Sequence, residues 1–431
     1  MAEAQPAWTP ANDEGETSGW VDVVPAHASA RALAVVAAVY LLSTFIAGPV
    51  VPGTPSPVAH WQLGPIYVGR PIVPWGDSPH YLAIVNSLVE DGDLDLRDNY
   101  DQARAGDWDV GTRFRGADLD RHVEIDRAGR ELSFHSPFLP ALLAAVAWPF
   151  RGTEWVESVC IWATLAVTFA GLCWSARLPG LTPGWLVALA LATPLWVYAR
   201  DVVTEPYQAV AWIALLALEQ PLALAAVTLV AVPMKIPFVV VPLALGAVLV
   251  VEGDRRRGVA LLIASVVAVA ITFAAAQWIF QDSDRFSLFH LGGRVGMRRA
   301  MFRPRFDAPL GLLLDPQDGL LPFCPFVVLG LFALVGDRRL WVPALAYFLL
   351  HATYSGWRGG SAVSARHLMP MLPVLVLAVS RARPPRWLAR PLVAYSATLA
   401  VVAGVLPVAA YDKTPWGMMT FLAERVGRLF G

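Results

Sequence analysis

The chain has 431 residues, of which 56% are hydrophobic and only 16% charged, against about a quarter charged in ordinary soluble domains. A mean hydropathy of +0.52 with 17 tryptophans excludes a soluble globular domain and points to a polytopic membrane protein. The net charge of −1 leaves no basic field for nucleic acid, and Cys160, Cys173 and Cys324, all within or beside apolar runs, imply no disulfide framework.

Residues 1–30 mix Glu3, Asp13, Glu14, Glu16 and Asp22 with Pro, Gly and Ser. They lack the charged-then-apolar order of a signal peptide and read as a disordered cytoplasmic tail. The first span is expected over 31–48, ended by Pro49, Pro52, Pro55 and Pro57. A long loop, about 50–155, follows, and its polar part opens on Gly76-Asp77-Ser78-Pro79-His80-Tyr81-Leu82. A helix over 78–90 places Tyr81, Val85 and Leu88 on one face with Leu82 and Val89 beside it, which suits a helix lying on the membrane surface. Asp77 falls at its N-cap position with Pro79 in the first turn, so capping alone would account for that aspartate. The stretch from there to about Glu131 reads as loop. Asp91, Asp93, Asp95 and Asp98 superficially resemble a calcium loop, but the Gly and terminal Glu of an EF-hand are missing at the required places.

The apolar run 136–150 is short for a span. Further spans are expected near 156–175, 184–198, 206–219, 221–233, 237–251, 258–280, 320–335, 340–352, 367–380 and 391–410. The run 206–251 thus reads as three short helices broken at Pro221 and Pro233. Basic linkers at Arg255-Arg256-Arg257, at Arg338-Arg339 and at Arg381, Arg383, Arg386 and Arg390 go to the cytoplasm by the positive-inside rule. Parity then makes 136–150 a re-entrant or surface-lying helix and gives an all-α protein of about eleven spans. A transmembrane domain over 31–410 is followed by a short tail, 411–431.

On that topology Asp77, His80, His135, Asp201, Glu205, Lys235, the arginines of 281–319, and the run from Tyr354, Trp357 and Arg358 to Arg366 and His367 share the outer face. Ionisable groups at the ends of short helices suggest a cavity dipping into the membrane. A carboxylate near Lys, Arg and His beside lipid suits transfer of a sugar from a polyprenyl phosphate: the acid takes a proton from the acceptor hydroxyl and the cations neutralise the leaving phosphate. No metal is required if Arg and Lys supply that charge, although a divalent ion is compatible with it. The chemistry alone leaves this as one reading among several.

The aspartate in its GD-x-PHYL context, the His135-Ser136-Pro137 start of the next apolar helix, YARDVVTEP (198–206), VPMKIPF (232–238), LLLDPQDGLLPFCPF (312–326) and YSGWRGGSAVSARHLMPMLP (354–373) together resemble the GT-C superfamily of integral membrane glycosyltransferases. The resemblance is closest to the branch of protein O-mannosyltransferases and lipid A aminoarabinose transferases, and covers about 31–410. It implies a GT-C fold in a bacterial plasma membrane, a polyprenyl-phosphate sugar as donor and an extracytoplasmic lipid, glycan or protein as acceptor. By position it makes Asp77 the catalytic base, Glu205 (or, less readily, Asp201) the second acid, and Lys235, Arg366 and Arg358 the donor-phosphate ligands. His80, Tyr81, His135, Trp357 and Asp201 would contact substrate. Ser78 departs from the superfamily, which commonly places an acid directly after the loop aspartate. Each site has a plainer explanation: a helix-dipole partner for Glu205, an interfacial anchor for Lys235 or Arg366, a tight bend for the WRGG turn. A lipid flippase or transporter is the chief alternative, although the matching halves of a transporter are not evident. A non-catalytic relative acting as an assembly partner is another.

Overall fold

The computed structural model describes residues 26–47, 59–63, 66–69, 71, 77–105, 121–126, 128–280, 307–354, 357–358, 366–405 and 414–430. The expectations for residues 1–25, the proline run after 48, the arginines of 281–306 and the glycines of the WRGG turn lie outside the described residues.

The described residues are mostly helical, with two small sheets among them. Helix α1 (Ala26–Thr44) leads into strand β1 (Ile46–Ala47), which pairs antiparallel with β3 (Ile66–Gly69); β3 pairs in turn with β2 (Ala59–Leu63). The polar segment then builds α2 (Ser78–Asn86), a π-helical turn (Ser87–Asp91), α3 (Arg97–Ala105) and an antiparallel hairpin of β4 (Val123–Ile125) and β5 (Glu131–Ser133). The hairpin turn depends on Asp126, whose carboxylate accepts from the Arg130 amide at 2.9 Å, and on Gly129 at φ +82°, a conformation that costs glycine nothing. The segment expected to be loop is therefore structured in its described parts; residues 106–120 and 127 lie outside the described residues.

Helix α2 also corrects an expectation. It does not lie on a surface: all nine of its residues are buried. One side packs with Leu139, Leu143 and Ala147 of α4 (Phe138–Ala147) and with Val156, Cys160 and Ile161 of α5 (Val156–Ser175); Ile84, on another side, meets Leu96 and Tyr100.

Next come α6 (Pro183–Leu191), α7 (Leu195–Tyr198), α8 (Glu205–Ala217), α9 (Pro221–Met234) and, after a 3-10 turn over Ile236–Val239, α10 (Val240–Val251). The run 206–251 thus divides into three helices as expected, at the breaks before Pro221 and after Pro233. Helix α11 (Arg255–Phe280) packs along α9 and α10. Then follow α12 (Asp307–Leu314), α13 (Leu320–Phe323), a 3-10 stretch (Pro325–Gly330), α14 (Leu331–Val335) and α15 (Arg338–Ala352). A 3-10 stretch (Arg366–Met371), α16 (Leu372–Ala382), α17 (Arg386–Val405) and α18 (Pro415–Phe430) complete the chain. The tail expected to be disordered over 1–30 is therefore helical at 26–30, and the short C-terminal tail carries a helix at 415–430.

Three helices among the described residues are long and apolar enough to cross a membrane: Val156–Ser175, Arg255–Ile279 and Arg386–Gly404. This corrects the expected count of about eleven. Five more apolar helices, including Ala30–Thr44 and Phe138–Phe150, are shorter, and at 1.5 Å per residue a helix of 13 to 15 residues covers only about 20 Å of a core about 30 Å thick. Prolines cause much of the shortening: the run expected as a span over 184–198 breaks at Pro194, the one over 320–335 at Pro325, and the one over 367–380 begins as a 3-10 turn around Pro370.

Charged residues collect at the two ends of these helices. At one end Arg339 meets Glu252 at 2.6 Å, Arg381 meets Asp337 at 2.7 Å, and Arg381 also donates to the Pro179 carbonyl. The basic linkers thus come together, joined by the turn after α5. Helix α10 and the Arg366–Ala382 run each end in that cluster and begin in another, formed by Lys235 and Arg366.

One close helix contact is between α10 and α11. A Cβ added at Gly258 would stand 2.6 Å from the Gly246 carbonyl oxygen and 2.9 Å from the Val250 nitrogen, so backbone meets backbone. Gly258→Ala should destabilise the protein by about 1–3 kcal/mol through overpacking, read as a lower midpoint of thermal unfolding in detergent; an unchanged midpoint would refute the contact.

Candidate functional site

Four side chains from four distant segments form a line of alternating charge. Arg366, at the start of its 3-10 stretch, donates from Nη2 to Asp77 Oδ2 at 2.6 Å and from Nε to Glu205 Oε1 at 2.9 Å. Glu205 Oε1 also accepts from Lys235 Nζ at 2.8 Å. The order is Asp77, Arg366, Glu205, Lys235. The middle is far more buried than the ends: the side chains of Glu205 and Arg366 are 1% and 6% exposed, those of Lys235 and Asp77 22% and 28%.

Local structure explains each placement. Asp77 does sit at the N-cap position of α2, but its side chain makes no capping bond and goes to Arg366 instead, so capping does not account for it. Glu205 opens α8 with Pro206 in the first turn, where the helix dipole favours an acid, yet its partners are the two cations. Lys235 lies in extended backbone, φ −158°, between α9 and the 3-10 turn. Pro233 and Pro237 impose that break, and the Lys235 carbonyl accepts from Gln208 of α8 at 3.3 Å.

Ser78, the departure from the expected acid, has a partner: its Oγ donates to Asp201 Oδ1, and both residues are buried. Asp201 thus supplies a carboxylate beside position 78, where a second acid would be repelled.

On the open side of Asp77 stand three imidazoles. His80 Nδ1 lies 2.7 Å from the Tyr100 hydroxyl, and its ring stacks on His122 with centroids 3.6 Å apart. His122 Nδ1 is 3.0 Å from His135 Nε2, and the His135 ring lies 5.0 Å from that of Tyr81. Ser136, next in the chain, donates to the Pro233 carbonyl at 2.7 Å, which ties this segment to the Lys235 break. Burial holds His80 well below its ordinary pKa and brings His135 down to about 4 against the pull of Asp77, so both rings are neutral near pH 7. For Asp77 burial favours the acid form, but the Arg366 guanidinium outweighs it and the carboxyl stays well below the usual range.

The structure thus gathers Asp77, His80, Tyr81, His135, Asp201, Glu205, Lys235 and Arg366. Arg358 is elsewhere in character: 68% exposed, it stands 3.8 Å from Asp315 and 4.0 Å from Asp318, with its guanidinium over the Trp357 ring. Trp357 is buried against Gly311, where an added Cβ would meet the indole at 2.3 Å, so its ring packs α12. Two residues that the sequence reading passed over belong to the site, His122 and Tyr100. The spacing of His122 and His135 around a D-x-x-G turn was the available signal, since a hairpin there returns one histidine to the other.

Removing the shared cation leaves two carboxylates without it. Arg366→Gln should cost about 3–5 kcal/mol, and Glu205→Gln combined with it should restore part of that loss. A double-mutant cycle on unfolding midpoints measures this; additive effects would show that the two side chains are not coupled.

Comparison of the chain with models of known protein families, with curated proteins and with solved structures returned no match.

Proposed function

We propose that the chain is a GT-C-like membrane glycosyltransferase that moves a sugar from a polyprenyl-phosphate donor to an acceptor on the extracytoplasmic face. The observation that carries the reading is the charged line, open at a carboxylate on one end and at an ammonium on the other, with a largely buried middle. Such a line offers a proton acceptor and phosphate-binding cations within one site.

In the reaction the acceptor oxygen attacks the anomeric carbon and its proton passes to the Asp77 carboxylate. The bond from that carbon to the phosphate oxygen breaks, the electron pair stays on the phosphate, and the sugar configuration inverts. Paired with Arg366, Asp77 is a weak base. A donor phosphate that takes up part of the Arg366 and Lys235 hydrogen bonding weakens that hold and makes Asp77 more basic when substrate is in place. Glu205, between two cations and out of solvent, positions Arg366 and Lys235.

An apolar groove of about 460 Å³ supports a lipid-linked donor. It is lined by Leu368, Met371 and Leu375, just beyond Arg366, and by Trp341, Leu345 and Phe348 of α15. A polyprenyl chain laid there would bring its phosphate toward Arg366. The basic linkers at the opposite end of the helices fit the cytoplasmic side, which leaves the charged line facing outward.

A flippase would use the same groove and cations but needs no base. Asp77→Asn keeps the oxygen that accepts from Arg366, so the fold should survive, while transfer of labelled sugar from its polyprenyl phosphate should fall about 10²- to 10⁴-fold. Undiminished transfer would remove Asp77 as base, and movement of intact donor without any consumption would favour the flippase. Mass spectrometry of envelope glycans and lipids from a deletion strain would identify the sugar and its acceptor through the missing linkage.

A further inference from the structure

His122 and His135 bracket the β4–β5 hairpin, and the register that pairs Val123 with Ser133 returns one beside the other. Their facing nitrogens, His122 Nδ1 and His135 Nε2, are 3.0 Å apart. A carboxylate oxygen of Asp77 completes a set of three donor atoms that all lie within 4.8 Å of one another. Two imidazole nitrogens around a zinc ion, each at about 2.0–2.1 Å, are separated by roughly 3.3 Å, so the pair needs to open by only a few tenths of an ångström and the carboxylate to close in. Asp77 can serve here without leaving Arg366, because Oδ2 is the atom on the guanidinium and a carboxylate has two oxygens.

The rings are also held. His122 is stacked between His80, at 3.6 Å, and Phe134, at 4.8 Å, and its backbone amide donates to the Tyr100 hydroxyl that also binds His80. That hydroxyl therefore fixes the hairpin and the stacking partner together, the kind of outer support that orients metal-binding histidines.

We propose that Asp77, His122 and His135 form a binding site for one divalent transition-metal ion of the zinc class. Two imidazoles and one carboxylate select such an ion over magnesium or calcium, which take oxygen ligands, and three protein ligands leave a coordination position open. A phosphate oxygen or an acceptor hydroxyl could occupy that position, and a hydroxyl there becomes more acidic, easing the proton transfer asked of Asp77. The ion's part in sugar transfer rests on the function proposed above; its binding does not.

The test is a titration of purified, chelator-stripped full-length protein in detergent with Co²⁺ and then Zn²⁺. One equivalent of Co²⁺ should bind with visible d–d bands, and Zn²⁺ should displace it. His122→Ala and His135→Ala should each weaken binding at least tenfold, while Asp93→Asn, in the acidic run after α2, should leave it unchanged. X-ray absorption of the zinc-loaded wild type, which needs no variant to fold, should show nitrogen and oxygen neighbours with an imidazole signature at about 2.0 Å. Binding below one equivalent, binding that survives both histidine replacements, or a shell without imidazole would overturn the site. Stoichiometric metal without sugar transfer would count against the glycosyltransferase and leave the site standing; transfer by a protein that binds no metal would do the reverse.

Discussion

A guanidinium taken out of water loses several kcal/mol of hydration, and Arg366, 6% exposed as a side chain, survives that loss because two carboxylates share it. Asp77 comes from the start of α2, Glu205 from the start of α8, and Lys235, the second cation on Glu205, from the break after α9. Any one of the inner pair without the others would be a buried charge without compensation. The line therefore ties together the polar segment, the middle helices and the C-terminal run.

Short helices follow from this arrangement. Helices α8, α9 and α10 run 13, 14 and 12 residues, so charged groups at their ends stand closer together along the axis than the thickness of a hydrocarbon core. Held in a bilayer, the line would lie below the level of the headgroups, in a recess whose irregular backbone must find partners within the protein. Some of those partners are visible: the Pro233 carbonyl takes the Ser136 hydroxyl, and the Lys235 carbonyl takes Gln208.

What could be read from the sequence was what is encoded locally or by span ends. Pro221 and Pro233 divide 206–251 where they stand, because proline interrupts a helix through its own ring. Asp77, Glu205, Lys235 and Arg366 were gathered in advance because each sits where an apolar run starts or stops. Helix α2 was misread for the opposite reason. The apolar face of Tyr81, Val85 and Leu88 suited a surface helix, but Asp201 and Tyr100, distant in sequence, satisfy its polar Ser78 and His80 in the interior, and pattern alone cannot count such partners. The expected eleven spans failed similarly: apolar content marked the runs, while their helical length was set by breaks such as Pro194, Pro325 and Pro370. His122 escaped because its importance depends on strand pairing, not on the residues beside it.

The two carboxylates on Arg366 are not equivalent, and the difference decides which can take part in chemistry. Glu205 is fully buried between Arg366 and Lys235, and protonating it would leave two cations facing a neutral acid. Asp77 has one cation and, on its other side, imidazoles that burial keeps neutral. Its side chain is more than a quarter exposed. On the function proposed above, a phosphate drawing on Arg366 would loosen the strongest hold on the Asp77 charge, whereas Glu205 would keep Lys235. A single chain of hydrogen bonds thus holds one acid enclosed between two cations and another partly open beside neutral rings.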